Sequence, residues 1–252
     1  MRKIGAGAIL MVCLVGFYVT VEAAIFDVTT TLELQNALIA AQANGEDDTI
    51  NLAPGIYPVG SMLTYSPEEA EDYALTIQGQ GAEITILDGG NTTSILLIDQ
   101  SGLSEGANAH ITIRGITFRN GNEKFFEGGA VSIANYSAET RIENCIFHRN
   151  ASLLGGGGLY LLGSTSFLVG NEFIENSSSD LFSVGGAVYA VISGGTLTME
   201  GNVLVDNFSV GSGGAVFVTN NGPIILTGNV FIDNVAGGQG GGGYVSADFG
   251  GG

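Results

Sequence analysis

The sequence predicts an all-β chain wound as a parallel β-solenoid of about seven coils, and three observations carry that reading. A glycine-rich block recurs at Gly128-Gly129-Ala130-Val131, Gly156-Gly157-Gly158-Leu159, Gly185-Gly186-Ala187-Val188, Gly213-Gly214-Ala215-Val216 and Gly241-Gly242-Gly243-Tyr244, with starts 28, 29, 28 and 28 residues apart. Between the blocks an aliphatic residue is followed five positions later by Phe or Leu and eight positions later by Asn, as in Ile142/Phe147/Asn150, Leu168/Phe173/Asn176, Met199/Leu204/Asn207 and Leu226/Phe231/Asn234. Short β-branched and apolar runs such as Thr196-Leu197-Thr198-Met199 alternate with Gly170-Asn171, Gly201-Asn202 and Gly228-Asn229, which supply bends. Glycine reaches 41 of 252 residues without the every-third-residue period of collagen.

The elements follow in chain order. Arg2 and Lys3 precede an apolar run from Ile4 to Val21 that ends in Val21-Glu22-Ala23-Ala24, the pattern of an export signal over residues 1–23. An uncleaved membrane anchor is the alternative, and Gly5, Gly7 and Gly16 within the run argue against it. Residues 24–48 form the N-terminal cap region: from Thr31 to Asn44, Leu34, Ala37, Leu38 and Ala41 fall at helical spacing behind a Thr cap, and Gly45 closes the segment. An amphipathic helix laid over the first coil protects an edge that would otherwise recruit strands. Residues 49–252 are the solenoid, entered through Asp48-Thr49-Ile50-Asn51-Leu52-Ala53-Pro54-Gly55-Ile56-Tyr57 and expected to be truncated or uncapped at its C-terminal end.

Stacking at about 4.8 Å puts equivalent residues of successive coils above one another. Phe118, Phe147, Phe173, Leu204 and Phe231 then form a column that fills the lumen. Asn150, Asn176, Asn207 and Asn234 form one ladder, and Asn171, Asn202 and Asn229 a second, each able to satisfy turn amides.

Composition limits function. With 7 Lys+Arg against 25 Asp+Glu the formal charge is −18, and loss of the signal leaves 5 basic and 24 acidic residues. Such a surface repels phosphate backbones, so nucleic acid is excluded as a partner. No segment after the signal is long and apolar enough for a transmembrane helix. Cys145 is then the sole thiol, and no internal disulfide is available.

These repeats and the Asp48-to-Tyr57 phrase resemble a right-handed parallel β-helix of the pectin-lyase-like superfamily. The paired Gly-Gly-Ala-aliphatic and Phe-x-x-Asn phrases resemble more narrowly the passenger domains of polymorphic outer-membrane proteins, over about residues 27 to 246. The resemblance implies a protein of the cell exterior or outer-membrane surface, with adhesion as its usual role. It also implies a C-terminal membrane barrel as anchor; no alternating membrane-strand segments follow the last coil, so the sequence is expected to be a fragment of a longer protein, with a partner covering the end as the alternative.

Three groups of residues bear on chemistry. Glu175, Asp206 and Asp233 follow the aromatic column by two positions in successive coils; calcium is the cation such a column would accept, and a solvated acidic edge is the alternative. No cofactor is required by either. Arg119, His148, Arg149 and Glu175 gather in adjacent coils, either as a uronate-binding or catalytic patch or as cross-coil ion pairs. Val203, Val205, Val230 and Ile232 flank the column and point outward, as a partner site or as a strip covered by the loop from Asn176 to Val184. The leading expectation is an exported structural or adhesive module whose partners are a surface glycan, a protein ligand or sister chains. The alternative is a polysaccharide lyase, epimerase or hydrolase acting on acidic glycans.

Overall fold

The computed structural model describes residues 23–67, 73–103 and 109–246; the segment 1–23 expected as an export signal, but for residue 23, and the Gly250-Gly251-Gly252 tail lie outside the described residues. Every strand pair is parallel, and the chain winds through four sheets that run along one axis. The first sheet has eight strands, the second and third seven each, and a fourth of two-residue strands has five. One regular coil visits Thr140–Glu143, Ile146–His148, Ala151–Ser152 and Leu159–Gly163 in that order before the next begins at Ser166.

The N-terminal end is closed by strand β1 (Ala24–Val28), helix α1 (Thr31–Ala41) and strand β2 (Asp48–Leu52). Thr30 accepts the Glu33 N–H, and the Glu33 carboxylate accepts the N–H groups of Thr29 and Thr30, so the first turn is capped reciprocally. Leu34, Ala37, Leu38 and Ala41 are buried on the coil below. The helix stops before Asn44 because that side chain serves a turn instead, donating to Asp48 Oδ1 at 2.7 Å and accepting the Glu46 N–H. β1 pairs in register with β2, and this strand, which the sequence reading left inside the cap region, makes the first sheet one strand longer than its neighbours.

Asp48 is 4% exposed, and burial pushes its carboxyl pKa up to about 6 against the lowering effect of the Asn44 amide. A carboxyl with a raised native pKa holds its proton more tightly when folded. Its contribution is therefore full below the ordinary value of 3.8 and is lost as pH rises through about 6. Asp48→Asn is expected to match the parent near pH 3.5 and to exceed it by about 2 kcal/mol at pH 7.5. Urea midpoints at the two pH values test this, and a difference independent of pH would contradict it.

The core is the lumen. Phe118 and Phe147 stack at 5.2 Å and Phe147 and Phe173 at 4.7 Å, with interplanar angles of 16° and 8°. Tyr57 and Leu87 extend this column toward the N-terminus and Leu204 continues it, all buried. Phe231 occupies the same register position but is 39% exposed, because no described coil follows to cover it. The glycine blocks line the corner between the fourth and third sheets. Gly185 has φ +63°, and a Cβ on Gly186 would fall inside contact distance of the Gly214 and Phe208 carbonyls, so neither position has room for a side chain.

Candidate functional site

Arg119, His148 and Arg149 are brought together much as their spacing suggests, yet both arginine charges are already engaged. Asp88, Arg119 and His148 occupy one register column on the outer face of the second sheet, with Ile174 next. Arg119 Nε lies 2.7 Å from Asp88 Oδ2, while Asn120 donates to the other oxygen at 3.0 Å. Burial works against the Asp88 charge, but the hydrogen bonds from Asn120, the Gly90 N–H and Arg119 hold its carboxyl below the usual range. One coil further, Arg149 Nε lies 2.7 Å from Glu175 Oε2. Burial, and then the Arg149 and Arg119 charges, lower the His148 pKa despite the Glu175 carboxylate, which favours a neutral imidazole. Asp88 has no counterpart in the sequence reading, because it stands 31 residues before Arg119 in the irregular early coils.

The Arg149 to Glu175 pair is well exposed, with side-chain accessibilities of 60% and 44%. Exposed pairs contribute little to stability. Arg149→Ala is accordingly expected to leave the thermal midpoint unchanged; a clear drop would mean that the pair anchors the turn.

Glu175, Asp206 and Asp233 stand on the same turn of successive coils, all at positive φ (54°, 53° and 51°), as do Arg149 and Asn120. Both members of each Gly-Asn pair tolerate the left-handed backbone that a sharp bend needs. In the structure Gly170, Gly201 and Gly228 adopt it, and the following Asn residues do not. Among the described residues no three His, Cys, Asp or Glu side chains converge to hold a metal ion. Glu175 points to Arg149, whose hydrogen bond holds its carboxyl below the ordinary range.

Both Asn ladders are continuous. Asn150 donates its N–H and its side-chain amide to Asn176 Oδ1 at 3.1 and 3.0 Å, and Asn176 repeats this toward Asn207 at 2.9 and 3.0 Å. Each side-chain amide also donates to a carbonyl of the coil below, as Asn176 does to Phe147 O and Asn207 to Phe173 O. Asn171, Asn202 and Asn229 do the same at the neighbouring turn. These residues organise the turns and are buried, except that Asn229 and Asn234 in the last coil are partly exposed.

A different surface stands free. The corner between the fourth and third sheets carries loops in parallel register, with single bridges joining Glu127 to Gly155, Gly155 to Val184 and Val184 to Ser212. Phe182, Leu181 and Phe125 on these loops are 88%, 79% and 72% exposed, the highest values among the described large apolar side chains, and Phe126 beside them is 65% exposed. The two loops are built alike. Glu123 Oε1 accepts the Phe125 N–H at 3.0 Å and Asp180 Oδ1 accepts the Phe182 N–H at 2.9 Å, so in each an acidic side chain two residues earlier turns the backbone and displays the ring. The stretch from Asn176 to Gly186 is three residues longer than Asn150 to Gly157 or Asn207 to Gly214, and Leu181 and Phe182 lie within it. On the outer strip flanking the aromatic column, Val230 and Ile232 in the last described coil are each 45% exposed, whereas Val203 and Val205 one coil earlier are partly buried.

Beside these loops an aromatic row runs along the outer face of the third sheet. Tyr160, Tyr189, Phe217 and Tyr244 follow one another at centroid distances of 5.2, 5.8 and 5.2 Å. The row was open to detection, since Tyr160, Tyr189 and Phe217 directly follow glycine blocks and Tyr244 closes the last one. The described outer surface of this corner and row is thus apolar and aromatic, with Glu123, Lys124, Glu127 and Asp180 at its margin. Residues 74–249 match the family model described as right handed beta helix region. No curated protein and no solved structure matches the chain.

Proposed function

We propose, starting from the fact that this chain belongs to the right-handed β-helix family, that it is an exported surface module that works by contact rather than by turnover. Family membership supplies a scaffold and no ligand, so the function has to come from the surface. The observation that carries the reading is the loop corner: its four large apolar side chains, Phe125, Phe126, Leu181 and Phe182, are held out by two loops of the same construction. Clustered exposed apolar groups of this kind mark interaction sites on soluble proteins. A surface glycan, a protein ligand or a sister chain is the partner class that suits an exported scaffold, and the amino-terminal Arg2-Lys3 and apolar run support export. The opposing enzymatic reading needs a free base or a cationic clamp. Arg119 and Arg149, the cationic candidates, are engaged by Asp88 and Glu175, which leaves His148 as the base such a reading would use.

The test is a Phe125→Ser/Phe182→Ser double variant, probed with the parent on immobilised polyuronates, neutral glycans, matrix proteins and the protein itself. Both side chains are exposed, so the variant is expected to keep the parental melting midpoint. Binding by the parent to one of these probes, reduced at least about ten-fold in the variant, is the expected result. Turnover of a polyuronate that Arg149→Ala abolishes would overturn the proposal in favour of a lyase or hydrolase.

A further inference from the structure

Charge is distributed unevenly around each coil. The third-sheet strands Val131–Asn135, Leu159–Gly163, Val188–Ile192 and Val216–Asn220 contain no charged residue, although the chain carries −18. Arg141, Glu143, Glu172 and Glu200 stand instead on first- and second-sheet strands of the same coils. At the corner beside the third sheet the loops alternate in length. Residues 122–127, 151–155, 177–184 and 208–212 begin at register partners and end at bridged residues, and they number six, five, eight and five. All four charged side chains of this corner, Glu123, Lys124, Glu127 and Asp180, stand on the two longer loops.

The longer loops also display Phe125, Phe126, Leu181 and Phe182. The shorter loops are uncharged and present Leu153 and Leu154, both partly buried, and Phe208, which is 42% exposed. A series that runs long, short, long, short complements itself when a copy is turned end for end, because each projection then meets a recess.

We propose that the occupant of this corner is a second copy of the chain, lying alongside the first and antiparallel to it; the proposal rests on the contact reading above and names its partner. The twofold axis passes between the coil of residues 151–155 and that of residues 177–184, and the same patch serves both copies. Residues 177–184 of one copy then face the partner's 151–155, and residues 122–127 face the partner's 208–212. Leu181 and Phe182 rest on the partner's Leu153 and the partner's Leu154, and Phe125 and Phe126 on the partner's Phe208, which removes exposed apolar surface from water on both sides. Charge and loop length select this setting. The charged long loops face uncharged short ones, so no carboxylate of the corner meets another. A parallel copy would set Asp180 against Asp180 and long loop against long loop. An antiparallel copy with the axis one coil earlier would set Phe182 against Thr92 and Thr93, the polar residues that precede Asn122 in the stack. The net charge of −18 still opposes association at long range, so added salt strengthens the pairing by screening, whereas it would weaken the binding of a basic partner.

The experiment is sedimentation equilibrium of the full chain from about 1 μM to about 1 mM, at low and high sodium chloride. The mass is expected to rise from one copy to two and to stop there, with tighter pairing at high salt and pairing at least about ten-fold weaker in Phe125→Ser/Phe182→Ser. Register is read by mixing Phe125→Cys with Phe208→Cys at a concentration where the parent is paired, adding a short bismaleimide and mapping the linked peptides. Both sites are exposed and the native Cys145 is buried, so a link from 125 to 208 between chains is the expected product. Links of 125 to 125 or 208 to 208 in excess of it, a mass that grows past two copies, pairing weakened by salt, or pairing indifferent to the double variant each overturns the proposal. A mass of one copy throughout also overturns it. If a glycan or matrix protein still binds through Phe125 and Phe182, the contact reading survives that result, and if no probe binds, both fall.

Discussion

Phe173→Ala is expected to destabilise the protein by about 3 to 5 kcal/mol, the range for emptying a fully buried aromatic site. The ring is buried, stacks on Phe147 at 4.7 Å with an interplanar angle of 8°, and sits below Leu204 in the next coil. Its neighbours are held by strands on both sides, which limits how far they can collapse into the space. Phe231→Ala is the internal comparison, because Phe231 has the same register position but is 39% exposed at the end of the stack. Less apolar area is recovered by water there, and the expected cost is about a third as large. Urea midpoints of the two variants measure the contrast; equal costs would mean that the column is not the main source of lumen packing.

Asn176→Ala is expected to cost about 2 to 4 kcal/mol, a large effect for a polar residue. Its side chain accepts from the Asn150 N–H and side-chain amide and donates to Phe147 O and Asn207 Oδ1, all in buried surroundings. Truncation does not strand every partner. Asn150 still donates its side-chain amide to Phe118 O, and Asn207 Oδ1 still accepts the Asn176 N–H. The Asn150 N–H loses its acceptor and Phe147 O loses this donor, and unmade bonds at buried groups set the magnitude. Asn176→Asp keeps an acceptor and places carboxylate oxygen against Phe147 O, so it should be at least as damaging near neutral pH. A neutral outcome for Asn176→Ala would show that water replaces the amide.

What the sequence made legible is what the repeat imposes. Phe147, Phe173 and Leu204 could be placed in the lumen because a fixed spacing in a stacked coil permits one orientation, and Leu34, Ala37, Leu38 and Ala41 marked the buried helix face in the same way. β1 escaped notice because five residues, Ala24–Val28, carry no repeat and lie directly after the amino-terminal apolar run. The pairing of Arg119 with Asp88 depends on the winding of irregular coils, which spacing does not encode. The outward display of Phe182 was equally hidden. Composition marks it as a core residue, and it is exposed because Asp180 folds back on its N–H and three additional residues lengthen the loop. Positive φ at Arg149, Glu175, Asp206 and Asp233 was also invisible, since charged residues give no general signal for a left-handed bend.

The one-way direction of the Asn ladders bears on how the protein is made. A turn in one coil is closed by an amide from the coil that follows: Asn176 closes the turn at Asn150, and Asn207 the turn at Asn176. A chain delivered amino end first therefore finishes each layer only when its successor arrives, and at any moment a single unfinished layer faces the incoming segment. The amino-terminal helix blocks growth from the other side. For a chain stacked in that order, arrival order and stacking order coincide, and a segment that lacks its Asn would leave the layer before it ajar.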